Sequence, residues 1–289
     1  MSEGLLATEH SDPLKELAEQ VRKQRQEMAE SHQKVLESPE YQAEWKHIEG
    51  ATFHFIQAVH ACFMMSRRAP DIYDQMLMFR LTDDLLQSCI ATLFLIQNGM
   101  HNPAAREIRF MIESGVKQLF VDQQKSSQTF DEKLRFLHEE VNHSSISMVS
   151  ELKLEAFDTA SKKEFCDELT DVYYKQCAYI HPSQRQIEEM VAHAESGKPL
   201  GYKTADELRT IGRLMFRLYD MLLVLHFHGI GLGLAGDVLV EWFDDEPKWK
   251  FHKGKYTKRL SSYFDYKVER TERKSGIPAW EPLLSEEKE

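Results

Sequence analysis

The chain has 289 residues, a formal net charge of −11, 42% hydrophobic residues and 29% charged residues. That is enough apolar material for one large or two ordinary domains with a true core, and the acidic balance works against general binding to nucleic acid or anionic membrane. Cys62, Cys89, Cys166 and Cys177 are widely spaced and form no C-x-x-C pair, so zinc and thioredoxin-type sites have no support.

Taken in chain order, the opening MSEGLLATEHSDPL carries acidic residues and no long apolar run, so it does not read as a secretory signal. SDPLKELAEQ offers a Ser or Asp cap and a proline in the first turn. It predicts a charged helix over about residues 12–36, with Leu14, Leu17, Val21, Met28 and Val35 as a sparse heptad. That helix either lies solvated on the body or serves as an arm that makes a homo-oligomer. Two apolar helices follow, in AEWKHIEGATFHFIQAVHACFMMS and YDQMLMFRLTDDLLQSCIATLFLIQNG. NPAAREIRFMIESGVKQLFVD predicts a helix starting at Asn102 and Pro103, and FDEKLRFLHEEVNHSSISMVSEL and KKEFCDELTDVYYKQCAYI predict two more. HPSQRQIEEMVAHAESGKPLGYK is a Pro- and Gly-punctuated connector with one short helix. The last long helix starts at the cap residue Thr204.

No alternating strand pattern with hairpin turns is found, so the expected class is all-α, a bundle of about eight helices. The expected divisions are a charged arm over 1–40, a helical bundle over 41–245 and a basic, aromatic-rich tail over 246–289. From Lys248 to Lys274 the tail has ten Lys/Arg against three Asp/Glu, a net of +7 that leaves −18 on the rest. Its tyrosines and phenylalanines alternate with Lys250, Lys253, Lys255, Lys258 and Arg259. That composition suits contacts to single-stranded nucleic acid, and it suits equally a tail docked on an acidic body; docking is favoured because it needs no partner.

The most apolar stretch, Met221–Gly236, has 16 residues, short of the roughly 20 a membrane span requires. It reads as a buried helix of a cytoplasmic protein with reduced thiols. GLGLAG matches a dinucleotide-binding pattern by letter only, because no βαβ context surrounds it. Neither a cofactor nor a metal is expected, since the histidine pairs sit at spacings that do not share a helix face.

The helix from Ala104 to Asp122 carries an anomaly. With Ala105 at zero, Ile108, Ile112, Val116, Leu119 and Phe120 form one face, and Arg109 falls inside it at about 40°. Glu113 lies one turn on, where it can pair with Arg109, and Arg106 extends the seam. An inward guanidinium must be paired. The alternatives are a buried ion pair that fixes helix docking and a cationic socket for a phosphate or carboxylate. In YYKQCAYIHPS, Phe165, Leu169, Val172, Tyr173 and Ile180 make the core face of the preceding helix, while Tyr174, Ala178 and His181 make a second stripe. Pro182 is expected to end that helix at or near His181.

GMHNPAAREIRFMIESGVKQLF and YYKQCAYIHPSQR together resemble two motifs of an uncharacterised bacterial family distantly akin to the HEPN helical domains: an Arg-x-x-x-Glu helix and a helix end reading Tyr…His-Pro-Ser. The resemblance covers about residues 76–185 and implies a HEPN-like core over about 76–240. It implies that Arg109, Glu113, Tyr174, His181 and Ser183 share a pocket, with RNA as partner and a metal-independent, endoribonuclease-like activity in a bacterial defence or toxin-type setting. His181 would then be the general acid or base, Arg109 would stabilise charge on a phosphate and Tyr174 would orient the histidine. The Arg-x(4–6)-His motif of HEPN ribonucleases is not reproduced at Arg185 and His193, which have seven residues between them. Without catalysis, Arg109, Glu113 and His181 would form a polar cluster in a helical interaction module.

Overall fold

The computed structural model describes residues 13–141, 145–179, 184–195, 204–243 and 246–264. Among them every regular element is helical. The α-helices are α1 (Pro13–Glu37), α2 (Pro39–Ser66), α3 (Pro70–Tyr73), α4 (Leu77–Arg80), α5 (Thr82–Gln97) and α6 (His101–Gln124). They continue with α7 (Phe130–Glu139), α8 (Thr159–Cys177), α9 (Gln184–Glu195), α10 (Ala205–Gly229), α11 (Leu232–Asp237) and α12 (Lys255–Tyr263).

Helix α10 is the axis of the bundle. A Thr204–Glu207 capping box starts it, and its residues Leu218 to Phe227 are all buried, so it is enclosed on every side. Helix α2 lies along one flank, where Phe55 stacks on Tyr219 with ring centroids 4.4 Å apart and Thr52 donates to the Tyr219 hydroxyl at 3.2 Å. Helix α6 lies along another. There Gly115 brings the backbones close: a Cβ at that position would stand 3.2 Å from Leu222 and from Leu225. Helix α8 and the tail helix α12 also pack on α10.

Several boundaries differ from the sequence reading. The segment around Met76–Gly99 is not one helix: Met76 is extended and Leu81 is non-helical, so α4 is separated from α5. Buried Asp122 caps the start of α4. Its carboxylate accepts the N–H groups of Leu77 and Met78 at 2.9 and 3.1 Å and the Lys133 ammonium at 3.1 Å. Helix α7 ends at Glu139, short of the expected end near Leu152, with a 3₁₀ turn over Ser147–Glu151. The polar run after it, VNHSS, offers side chains that compete for backbone hydrogen bonds. Helix α8 begins at an Asp158 cap and ends at Cys177, a turn before Pro182. Gly231, at φ 81°, takes the left-handed conformation that turns the chain out of α10 into α11.

The tail is part of the core as far as it is described. Trp249, Phe251, Tyr256 and Leu260 are buried in the same cluster as α10. Phe251 stacks on Phe216 at 5.1 Å and Trp249 on Phe243 at 4.3 Å. Asp220, buried on α10, caps α12 by accepting the N–H groups of Tyr256 at 2.8 Å and Thr257 at 2.9 Å. Charge holds the outer face. Lys255 bridges Glu164 at 2.9 Å and Glu168 at 2.7 Å, and Arg259 pairs with Glu164 at 3.0 Å. No helix among the described residues is long and apolar enough to cross a membrane.

Candidate functional site

Arg109 and Glu113 stand one turn apart on α6, on the side facing α8. The Arg109 Nη2 lies 2.7 Å from Glu113 Oε1, and their side chains are 22% and 20% exposed. A third group closes the arrangement. The Tyr173 hydroxyl donates to Glu113 Oε1 at 2.6 Å and accepts from Arg109 Nε and Nη2 at 3.4 and 3.3 Å. The guanidinium carbon is 5.4 Å from the centroid of the Tyr173 ring, a cation–π distance. Lys117, buried one turn further along α6, brings its ammonium to 3.8 Å from Glu113 Oε2.

The electrostatics follow from burial and from this pairing. Burial pushes the Tyr173 phenol above its ordinary value, and the adjoining Glu113 carboxylate pushes it further, so it stays a protonated donor. For Arg109 burial works downward, but Tyr173 and Glu113 outweigh it and hold the guanidinium above its usual value. Burial lowers Lys117, with Glu113 opposing. The arrangement is a hydrogen-bonded triangle of one guanidinium, one carboxylate and one phenol that fastens α6 to α8.

Tyr174 does not share this triangle. It is 55% exposed and its ring stands edge-on to Tyr173, centroids 5.3 Å apart. The phenol that meets Arg109 is therefore the neighbouring one, because Tyr173 lies on the face of α8 that packs inward. Arg106, on the next turn of α6, is exposed. His181 and Ser183 lie outside the described residues. Of the tail residues, Lys253 and Lys258 are exposed, while Lys255 and Arg259 are in ion pairs with α8. Lys250 is half-buried with its stem over Gly50, and its N–H donates to His54 Nδ1 at 3.1 Å.

Tyr173, Lys117, Asp122, Lys133 and Asp220 are the polar residues that sequence reasoning missed. Tyr173 could have been found, since a phenol placed on a core face needs a partner for its hydroxyl. Lys117 could also have been found, being four residues from Glu113. Among the described residues no group of three or more His, Cys, Asp or Glu side chains is placed to hold a metal ion. No family model matches the chain, and no curated protein or solved structure matches it either.

Proposed function

We propose that the chain is a non-catalytic helical interaction module, in which Arg109, Glu113 and Tyr173 form a structural polar cluster. The observation behind this reading is the closed Arg109–Glu113–Tyr173 triangle. An arginine that stabilises a reacting anion keeps its donors for that anion. Arg109 uses Nε and Nη2 on partners from its own chain. Replacing Arg109 by Met takes from the partly buried Glu113 its nearest cation and leaves only the more distant Lys117 ammonium and the Tyr173 hydroxyl, so urea unfolding should show a loss of about 2 kcal/mol. A gain in stability, the mark of a strained functional charge removed, refutes the reading.

A second reading is an RNA-directed, HEPN-like bundle of the bacterial defence type, with His181 as acid or base. Exposed Lys253 and Lys258 on the docked tail favour it, with exposed Tyr263 beside them as a stacking group. It requires salt-sensitive gel shifts with single-stranded RNA that weaken in Lys253→Glu and Lys258→Glu, and RNA cleavage lost in His181→Ala. Cleavage unchanged by His181→Ala ends it.

A further inference from the structure

Two surfaces of this molecule carry exposed apolar side chains beside charged ones. One is on α1. Every residue from 14 to 27 is exposed, and Leu17 and Val21, 57% and 39% exposed, stand on one face. The other is the outer face of the α5–α6 hairpin. A shallow depression of about 410 Å³ runs there between Asp84, Gln87, Ser88 and Ala91 of α5 and Glu107 and Phe110 of α6. Phe110, 42% exposed, forms part of its wall on α6, and Phe94, three residues on from Ala91 along α5, is 61% exposed.

We propose that this depression is the seat for α1 of a second copy of the chain, each copy lending its arm to the other. The inference deepens the interaction-module reading and rests on it. Three observations select this occupant. First, the arm cannot fold back on its own body without breaking its root. Ser38 caps α2 by accepting the Tyr41 N–H at 3.3 Å and donates to Val35 O at 2.8 Å, and the Gln42 amide donates to Leu36 O at 2.7 Å. Val35, Leu36 and Trp45 pack against the core around this joint, so the first two-thirds of α1 is carried away from the body.

Second, the charges match. Arg22 and Arg25 follow Val21 on the arm, and Asp84 and Glu107 line the depression. Third, the length of an arginine side chain covers the difference between the two spacings. Asp84 lies about 10 Å from Ala91 along α5, and Arg25 lies about 6 Å from Val21 along α1. With Val21 seated on Ala91, a guanidinium reaches Asp84. An amphipathic helix laid into a groove is a recurrent recognition mode, here with Ala91 and Phe110 as the apolar contacts and carboxylates beside them, and a reciprocal exchange closes as a two-fold dimer.

The test is the mass of the full chain in solution by light scattering, from 1 to 100 μM. The chain should be a dimer. Leu17→Asp/Val21→Asp, which spoils the arm, and Phe94→Asp/Phe110→Asp, which spoils the seat, should each weaken dimerisation at least tenfold, with helix content by circular dichroism unchanged. All four positions are exposed, so the fold does not depend on them. Mixing the two variants leaves one intact arm–seat contact and should restore a mixed dimer. Arg22→Glu/Arg25→Glu should weaken the dimer, and adding Asp84→Lys should recover part of it. A monomeric parent chain overturns the inference. So does a dimer lost with the arm variant alone, which marks arms paired with each other, or with the seat variant alone, which marks two seats face to face. Mixing that restores nothing also overturns it. None of these outcomes touches the interaction-module reading, which stands or falls on the stability of Arg109→Met.

Discussion

Arg109 on α6 and Tyr173 on α8 meet face and edge at once: the guanidinium lies over the phenol ring while two of its nitrogens reach the phenol oxygen, the nearer at 3.3 Å. Glu113 completes the contact by accepting the phenol proton, so one carboxylate anchors both helices. Removing any one member leaves the other two imperfectly paired in a place with little access to water.

Tyr173→Phe keeps the ring and deletes the hydroxyl. Glu113 then loses a short donor, and Arg109 loses an acceptor. The expected cost is about 1–2 kcal/mol in urea unfolding, with little change in the dependence on denaturant. Tyr174→Phe, one residue on and exposed, should cost less than about 0.5 kcal/mol. Equal effects at the two tyrosines would show that the triangle does not act in solution.

Asp220→Asn tests the docking of the tail. An amide can accept only one of the two N–H bonds that start α12, and its own N–H₂ must face a donor. Gly254→Ala tests the same joint sterically, because a Cβ there collides with the Asp220 carboxylate. Each should cost about 2 kcal/mol and expose Trp249, which is 3% exposed in the parent. Trp249 emission and limited proteolysis after residue 246 are the readouts. An unshifted emission would mean that the aromatic contacts alone hold the tail.

Acid should weaken the fold in a defined window. Burial holds His226 down to about 4, with its Nδ1 hydrogen-bonded to Leu222 O at 2.9 Å, and burial also lowers His228. Burial lowers His47 and His54 too, and the Lys250 charge adds to this. The unfolded chain takes up these protons near pH 6.5, roughly, so it binds more protons than the fold between there and about 4, and stability must fall as pH falls. Protonating His54 also removes the acceptor for Lys250, so the 246–253 segment should loosen first. For Glu168 burial works upward, but Lys255, Arg217 and Tyr256 outweigh it and hold the carboxyl down to about 2, so its contribution is lost below about pH 4.5. Burial raises Asp122 and Asp220, which opposes the loss. Unfolding free energy measured from pH 7.5 to 4.5 should decline, and His226→Leu should flatten the decline. A flat profile in the parent chain would contradict the burial of these rings.

Much of this architecture could be read from the residues, for reasons that vary by element. Helical spacing located α1, α6 and α10, and Thr204 marked the start of the last, whereas the expected Asn102 cap is not used, since α6 starts at His101 with no side-chain cap. The inward turn of Arg109 was visible on a helical wheel, since α6 is one unbroken helix. Its partner was not, because a wheel ranks Tyr173 only as core and says nothing of which helix faces it. The start of α4 after Met76 was hidden for a related reason. Asp122 caps it from 45 residues away, and no local signal announces a capping group so distant. Docking of the tail was suggested by charge, yet the lock that holds it, Asp220, sits in the most apolar helix, where no local pattern marks it as a cap for a helix 36 residues on.

The central claim is that the Arg109 charge is consumed inside the molecule by Glu113 and Tyr173. A double-mutant cycle between Arg109→Met and Tyr173→Phe, read by urea unfolding, tests it most directly. The account predicts that each single change destabilises and that the double change costs less than their sum by at least about 1 kcal/mol. Strictly additive effects, or a more stable Arg109→Met chain, would contradict it and return Arg109 to the surface as a charge waiting for a ligand.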